Sequence, residues 1–455
     1  MLRTVETSTP LSRPHHFYAW VAAVLLLVFL CSSFAQASTA AALTGNWRGT
    51  WIRHGDALPV TMSFTAPDDK AAGSFSSDAL QVVNIPITQR SSDGDKVHFE
   101  IKGDASTTIF DGTIKNNVLT GTFVDGDAKG TFQLTRTKGL TTPSVRSHDI
   151  TFRNGSVSLS GTLLLPLSPG KYPAILFLQG SGPEGRWANH YLAQKFAEAG
   201  FVALIYDKRG VGQSTGDWRN AGFDALAEDA SAGVSFLQSH PQVDATHVGI
   251  YGHSQGGTIA PLVANRIKNL AFVIASAAGG VDPATVETYS LDHVIDLDKL
   301  APAEQTDAQR YVKAVVDVAY RGADRTSLDK LAAQLKDRSW FFAAPPPEAS
   351  YWSISRQIAG FDPAMAWKQV NAPVLLLYGA HDERIPSMAS IAAINAALKA
   401  GGHAPPTVKL YPDADHTFTL VGPEHANGWP KHEPDYVTTL LSWAANRVDE
   451  RFVKP

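Results

Sequence analysis

Apolar and polar positions along the chain fall into two regimes. From 38 to about 138, short runs alternate apolar with polar: Trp47-Arg48-Gly49-Thr50-Trp51, Val60-Thr61-Met62-Ser63-Phe64, Val97-His98-Phe99-Glu100-Ile101, Val118-Leu119-Thr120-Gly121-Thr122-Phe123 and Gly130-Thr131-Phe132-Gln133-Leu134-Thr135. Asp-Gly, Asn-Asn and Gly-Asp pairs punctuate them, so the pattern predicts an antiparallel meander of roughly eight short strands. Such a sheet avoids exposed edges by closing or nearly closing. The linker predicted over 139–147 is rich in Thr, Pro and Ser. Beyond it, 148–152 and 157–165 predict a hairpin around Asn154-Gly155. Mainly apolar runs at 174–178, 201–206, 248–251, 271–275 and 373–378, and a further strand at 407–411, then alternate with helical spacing at 187–199, 223–238, 255–267, 386–398 and 436–447. Apolar strands separated by helices imply a mostly parallel sheet covered on both faces, an α/β domain over 148–455.

The rhythm breaks over 282–370, where no strand is evident and 302–320 and 327–335 read as helices. An insertion of this kind between two sheet strands predicts a helical cap over the strand ends, where open α/β sheets bind ligands. Trp340, Phe341, Phe342, Tyr351, Trp352 and Phe361 within it have two readings, a substrate-lining surface or the cap's own small core. The N-terminal sheet also has two: a pocket for an apolar ligand, or a module that docks elsewhere with its Trp residues as core filler. Gly45-Asn46-Trp47-Arg48-Gly49 resembles the G-x-W-x-G opening of lipocalin-like barrels.

Composition narrows the partners. Formal net charge is -4, with 39 Lys and Arg against 43 Asp and Glu, which gives no electrostatic case for nucleic acid or an anionic membrane surface. The one cysteine, Cys31, excludes an internal disulfide framework. The fifteen histidines contain no H-x-x-x-H or H-E-x-x-H pair, so no metal is expected. Residues 1–37 carry Arg3 and Arg13 ahead of an apolar block from Trp20 to Leu30, then Ala35-Gln36-Ala37. The block is short for a bilayer span, so a cleaved signal peptide is expected, with a periplasmic or secreted product. Leu30 stands where a lipobox ahead of Cys31 needs a small residue, which disfavours a lipoprotein.

The candidate chemistry begins at Gly252-His253-Ser254-Gln255-Gly256-Gly257, between a short apolar strand and a segment of helical spacing. Strand, turn and helix is the context a G-x-S-x-G nucleophile elbow requires, with small residues where strand and helix approach. Two more loops leave strand ends: Gly379-Ala380-His381-Asp382-Glu383-Arg384 and Pro412-Asp413-Ala414-Asp415-His416. The order Ser254, Asp382, His416, over about residues 150–450, resembles the α/β-hydrolase superfamily, and within it the branch of acyl esterases with dienelactone-hydrolase-like and serine-peptidase-like members. The resemblance implies an α/β-hydrolase fold with Ser254 as nucleophile, His416 as base and Asp382 as the orienting acid, with Glu383 as the alternative acid. His253, His381 and His403 are read as local structure, and Asp413 and Asp415 as turn formers.

In that superfamily the oxyanion is held by the amide after the nucleophile, here Gln255, and by one from the loop after an earlier strand. That loop is Gln179-Gly180-Ser181-Gly182-Pro183-Glu184-Gly185-Arg186, where Ser181 holds the matching position and Gln179 replaces the frequent His. It lacks the Gly-Lys-Ser/Thr ending of a phosphate loop. Asp207-Lys208-Arg209-Gly210-Val211-Gly212-Gln213-Ser214 resembles the D-x-R-G-x-G-x-S loop of many such hydrolases and is expected to brace the site. The reading is a secreted serine esterase that needs no cofactor and acts on small-molecule esters with an apolar acyl group. A serine peptidase or peptide amidase is the first alternative, with Glu184, Arg186 or Arg209 available to anchor a peptide terminus. A non-catalytic protein that binds a ligand in its N-terminal barrel is the second.

Overall fold

The computed structural model describes residues 43–66, 72–102, 106–138, 144–425 and 428–448. The expected signal peptide over 1–37, Cys31 within it, and 139–143 of the expected linker lie outside the described residues. Two compact units account for the rest.

The first unit is a nine-stranded antiparallel sheet: β1 (Gly45–Arg53), β2 (Asp56–Phe64), β3 (Gly73–Ser77), β4 (Val82–Ile87), β5 (Gln89–Asp93), β6 (Lys96–Lys102), β7 (Thr107–Lys115), β8 (Val118–Asp125) and β9 (Ala128–Arg136). Their order is β4-β3-β2-β1-β9-β8-β7-β6-β5. The sheet is nearly closed, since its end strands β4 and β5 are separated only by Thr88. The short polar runs Gly73–Ser77 and Gln89–Asp93 explain why the hydrophobic pattern suggested one strand fewer. Hairpin β7–β8 turns through Asn116 and Asn117, both left-handed at φ 52° and 63°, the conformation a two-residue hairpin loop demands. The period of two sends Trp47, Trp51, Phe64, Phe99, Phe110, Phe123 and Phe132 inward, all buried. They pack ring on ring: Phe99 stacks on Phe110 at 4.5 Å and Trp51 lies 4.8 Å from Phe110. Arg136 covers the Trp47 ring at 4.4 Å. The Trp residues are thus core of the sheet.

The second unit is built on an eight-stranded sheet: β10 (Arg146–Asn154), β11 (Val157–Leu165), β12 (Tyr172–Leu178), β13 (Val202–Tyr206), β14 (Val243–His253), β15 (Val273–Ser276), β16 (Val374–Gly379) and β17 (Thr407–Tyr411). The order is β10-β11-β13-β12-β14-β15-β16-β17. Strands β10, β11 and β13 pair antiparallel, and from β13 through β12 to β17 every pairing is parallel. The five residues of β13 and the six of β16 are all buried, because helices cover both faces: His190–Glu198 and Tyr436–Ala445 on one, Phe223–Ser239, Gln255–Arg266 and Ser387–Ala400 on the other. This is the α/β-hydrolase architecture that the family resemblance implied.

Between β15 and β16 lies the cap: helices Pro283–Val294, Pro302–Tyr320, Arg325–Leu335, Ser350–Ile358 and Pro363–Trp367. Tyr311, Trp340 and Trp352 are buried together with Val312, Val315 and Leu328, and Phe341 and Phe342 pack against them. Trp352 Nε1 donates to the carbonyl of Pro346 at 2.9 Å, and the Tyr311 hydroxyl to that of Phe342 at 2.9 Å. Of the two readings of the cap aromatics, this packing realises the core. Phe361 packs edge-on against Phe223 at 5.1 Å, in the main core.

Candidate active site

Ser254 sits where β14 turns into the helix Gln255–Arg266, at φ 55° and ψ −117°. An L residue adopts that conformation only when its surroundings impose it. Here they do. The backbone passes so close that a Cβ on Gly252 would lie 2.3 Å from the Gly256 carbonyl, and one on Gly256 would lie 2.8 Å from that of Leu178. Ser254 is also held by its own amide, which donates to Ser276 at 2.9 Å, and by Thr258, whose hydroxyl donates to the Ser254 carbonyl at 3.1 Å. The first N–H groups of a helix have no intrahelical acceptor. The Gln255 amide, the first in this helix, is therefore a donor at the positive end of a helix dipole.

His416 and Asp382 arrive from the ends of neighbouring parallel strands. His416 Nε2 lies 3.0 Å from Ser254 Oγ, and its Nδ1 lies 3.0 and 2.9 Å from the two carboxylate oxygens of Asp382. Asp382 is 1% exposed. Its Oδ1 also accepts from the amides of Arg384 and Ile385 at 2.8 and 2.7 Å, so backbone donors fix the carboxylate before the imidazole reaches it. The loops are tied together: the Ala380 amide donates to the Tyr411 carbonyl and that of His381 to Ala414, at 2.8 and 2.9 Å.

The other titratable candidates do different things. Glu383 is exposed and pairs with Arg384 at 3.8 Å. His403 bonds the Lys368 carbonyl at 3.1 Å and His381 is exposed. Asp415 accepts from the amides of Thr417 and Thr419 and forms the turn after His416. His253 Nε2 donates to the backbone carbonyl of His416 at 3.1 Å, with the two rings 4.9 Å apart. Burial, and secondarily the neighbouring His416, push its pKa down to about 3, so it stays neutral.

On the oxyanion side, Gly180 is buried and Ser181 exposed. The Gly180 amide donates to Glu184 Oε2 at 2.6 Å. Lys208, 3% exposed, donates to the carbonyls of Gly180 and Gly182 and to Gln255 Oε1. The groups considered as peptide anchors are engaged elsewhere. Arg186 forks onto Asp207, with Nε to Oδ1 at 3.1 Å and Nη2 to Oδ2 at 2.8 Å, and Arg209 pairs with Asp229 at 2.6 Å. Asp207, Ser214 and Ser160 continue the same network: Ser214 Oγ donates to the Asp207 carbonyl at 2.7 Å and accepts from the Ser160 amide at 2.9 Å. Two contacts escaped sequence reasoning. Lys208 lies in a loop read only as a brace, and nothing in the sequence singles it out from Asp207 and Arg209. Tyr289, whose hydroxyl donates to the Asp382 carbonyl at 2.7 Å, carries no signal either, since it lies in a cap helix with no fixed spacing from the acid. Among the described residues no group of three or more His, Cys, Asp or Glu could hold a metal ion, and no helix is long and apolar enough to cross a membrane.

The chain is 25% identical over 303 residues to an uncharacterized peptidase, YtmA, of Bacillus subtilis, covering 67% of this chain and 95% of that one. It is 25% identical over 249 residues to the esterase EstD of Thermotoga maritima, covering 53% of each and so spanning about half of EstD. Among solved structures, acetyl xylan esterase 1 of Thermoanaerobacterium aligns over 69% of this chain and 86% of its own, with 17% identity and a TM-score of 0.42. Residues 154–409, more than half of the chain, match the X-Pro dipeptidyl-peptidase family, a stretch that contains Ser254 and Asp382 and stops just short of His416. With that match on an eight-stranded sheet of this order, the chain belongs to the X-Pro dipeptidyl-peptidase (S15) family and is a hydrolase of the α/β-hydrolase fold.

Proposed function

We propose that this protein is an exported serine hydrolase that cleaves carboxylic esters of small molecules through an acyl-enzyme. The observation that carries the reading is the continuous chain Ser254 Oγ, His416 imidazole, Asp382 carboxylate, with both links at 3.0 Å or less. Ser254 Oγ attacks the ester carbonyl carbon while His416 Nε2 takes its proton, and the Asp382 carboxylate stabilises the imidazolium. The carbonyl oxygen becomes an oxyanion held by the amides of Gln255 and Ser181. As the tetrahedral intermediate collapses, the bond to the alcohol breaks and His416 gives that alcohol its proton. A water molecule, deprotonated by His416, then attacks the acyl carbon. The acid leaves, and the proton returns to Ser254.

A second reading, peptide cleavage, is favoured by the family match and by the peptidase YtmA. Against it, Arg186 and Arg209 are consumed in internal ion pairs. The packing of the cap aromatics into the cap's own core also removes the reason for expecting an apolar acyl group. The barrel-ligand alternative is weakened by the rings that occupy the interior of the first unit. One comparison separates these readings: turnover of p-nitrophenyl acetate and p-nitrophenyl octanoate against an X-Pro p-nitroanilide, each with wild type and Ser254→Ala. Ester turnover lost in Ser254→Ala by about a thousandfold or more supports the esterase. Preferential anilide cleavage, lost in the same variant, replaces it with the peptidase, and activity retained by Ser254→Ala refutes the mechanism.

A further inference from the structure

We infer that Lys208 is a positioning residue that sets the direction of the oxyanion-binding amides, an inference that rests on the serine-hydrolase reading above. Strands β12 and β13 are parallel neighbours, with Leu176 opposite Leu204. Their C-terminal loops therefore leave the sheet side by side, one carrying Gly180-Ser181-Gly182 and the other Asp207-Lys208-Arg209. Of these last three charged residues, Asp207 bonds Arg186 and Arg209 bonds Asp229. Lys208 alone is bonded to the proposed oxyanion donors' own residues and neighbours. An ammonium has three N–H donors and no acceptor capacity. All three find oxygens: the Gly180 carbonyl, the Gly182 carbonyl at 2.8 Å and Gln255 Oε1 at 3.1 Å.

The Gly180 carbonyl matters because it shares a peptide unit with the Ser181 N–H. That unit is planar and trans, so holding the oxygen on one side fixes the N–H on the other. The preceding peptide is held as well, because the Gly180 amide donates to Glu184. Gln255, whose backbone supplies the other donor, is gripped by its side chain. One cation thus joins the two segments that carry the donors into a single frame. Preorganised donors are what make an oxyanion site effective, since nothing then has to reorient as charge develops.

The charged group facing Lys208 is Glu184, on the oxyanion loop. The elbow contributes neutral Gln255, and on Lys208's own loop the flanking charges are already paired. Burial lowers the Lys208 pKa to about 8, with Glu184 opposing the shift. The ammonium then gives way to the amine, with one donor fewer, as pH rises through about 8, so kcat falls over that range. The stability contribution has the opposite sign. Between about 8 and the ordinary lysine value of about 10.4 the unfolded chain binds more protons, so this group adds stability as pH rises. A kcat that declines in this window is therefore not unfolding through Lys208.

The test uses the purified protein, p-nitrophenyl acetate, and benzeneboronic acid as the tetrahedral-adduct probe. Lys208→Met is expected to lose kcat by about 10- to 100-fold, somewhat less than deletion of an oxyanion donor. KM should stay within about threefold, boronate affinity should fall in step with kcat, and the decline near pH 8 should be absent. Gln255→Ala keeps its backbone amide and loses one anchor, so a smaller effect of the same kind is expected even where Lys208→Met folds poorly. Wild-type kcat and boronate affinity in Lys208→Met overturn the inference. So does a Gln255→Ala protein indistinguishable from wild type with no decline near pH 8 in wild type. Ser254→Ala separates the two failures: if it is inactive while Lys208→Met runs at full rate, the positioning role falls and the hydrolase reading stands.

Discussion

The Tyr289 hydroxyl, on the first cap helix, donates a 2.7 Å hydrogen bond to the backbone carbonyl of Asp382. The cap therefore touches the acid through its main chain and leaves both carboxylate oxygens for the imidazole and for the amides of Arg384 and Ile385. Tyr289→Phe removes only the hydroxyl. A single hydrogen bond nets about 0.5–1.5 kcal/mol, so kcat/KM on a p-nitrophenyl ester should fall by about two- to tenfold with little change in melting temperature. Unchanged kinetics would mean that the cap does not steady the acid.

Asp382→Asn tests the acid more severely. Oδ1 accepts two backbone amides, so the carbonyl oxygen of the new amide belongs at that position and its NH2 takes the place of Oδ2. The NH2 then faces His416 Nδ1 and demands an acceptor there, which drives the ring proton to Nε2, the nitrogen that must accept from Ser254. A loss of kcat of about four orders of magnitude is expected. Glu383→Gln, on an exposed neighbour paired with Arg384, should keep wild-type rates. The reverse result would move the acid to Glu383.

These residues were readable because they lie at the ends of strands, and strands announce themselves. Val374-Leu375-Leu376-Leu377-Tyr378 is an unbroken apolar run, so both the strand and the loop that follows are legible in the sequence, and the strand is buried throughout. Lys208 and Tyr289 illustrate what was not readable. Lys208 belongs to a loop whose charged residues all looked alike as braces, and only the parallel pairing of β12 with β13 aims one of them at Gly180. Tyr289 lies in Pro283–Val294, a helix with no marked apolar face. Likewise, the spacing of Trp340 and Trp352 is the same whether they line a pocket or fill a core. Their burial in one cluster with Tyr311, Val312, Val315 and Leu328 decides it.

Gly252 in the elbow and Gly322 in the cap separate two kinds of glycine cost. At Gly252 a methyl group would meet backbone atoms of Gly256 and Gly257 at 2.3 to 2.6 Å, and no rotamer relieves that. Gly252→Ala should give protein that is inactive and strongly destabilised or insoluble. Gly322, at φ 71° with nothing within 4 Å of its would-be Cβ, meets only the left-handed backbone penalty. Gly322→Ala should therefore cost about 1–2 kcal/mol and leave kcat unchanged. Thermal melts and ester kinetics on the pair read both effects, and a well-folded, active Gly252→Ala would refute the close-packed elbow.

Among the described residues of the second unit, Arg186 is the most heavily committed cation. It is bonded to Asp207 through Nε and Nη2, with both side chains largely buried, and also to Asp149, Ser160 and Thr162. Burial alone would raise the Asp207 carboxyl, but side-chain and backbone hydrogen bonds from Arg186 outweigh it and hold the pKa below the ordinary carboxylate value. A depressed carboxyl contributes stability that is complete above its unfolded pKa, about 3.9, and is lost as pH falls through the folded value. Arg186→Met leaves the carboxylate buried without its cation, so the second unit should lose about 3–5 kcal/mol near pH 7. In the variant burial wins, the Asp207 pKa rises, and protonation relieves the uncompensated charge. The gap between wild type and variant in urea midpoints should therefore narrow as pH falls toward about 4. A gap that widens with acidity would show that Asp207 is not the group Arg186 stabilises.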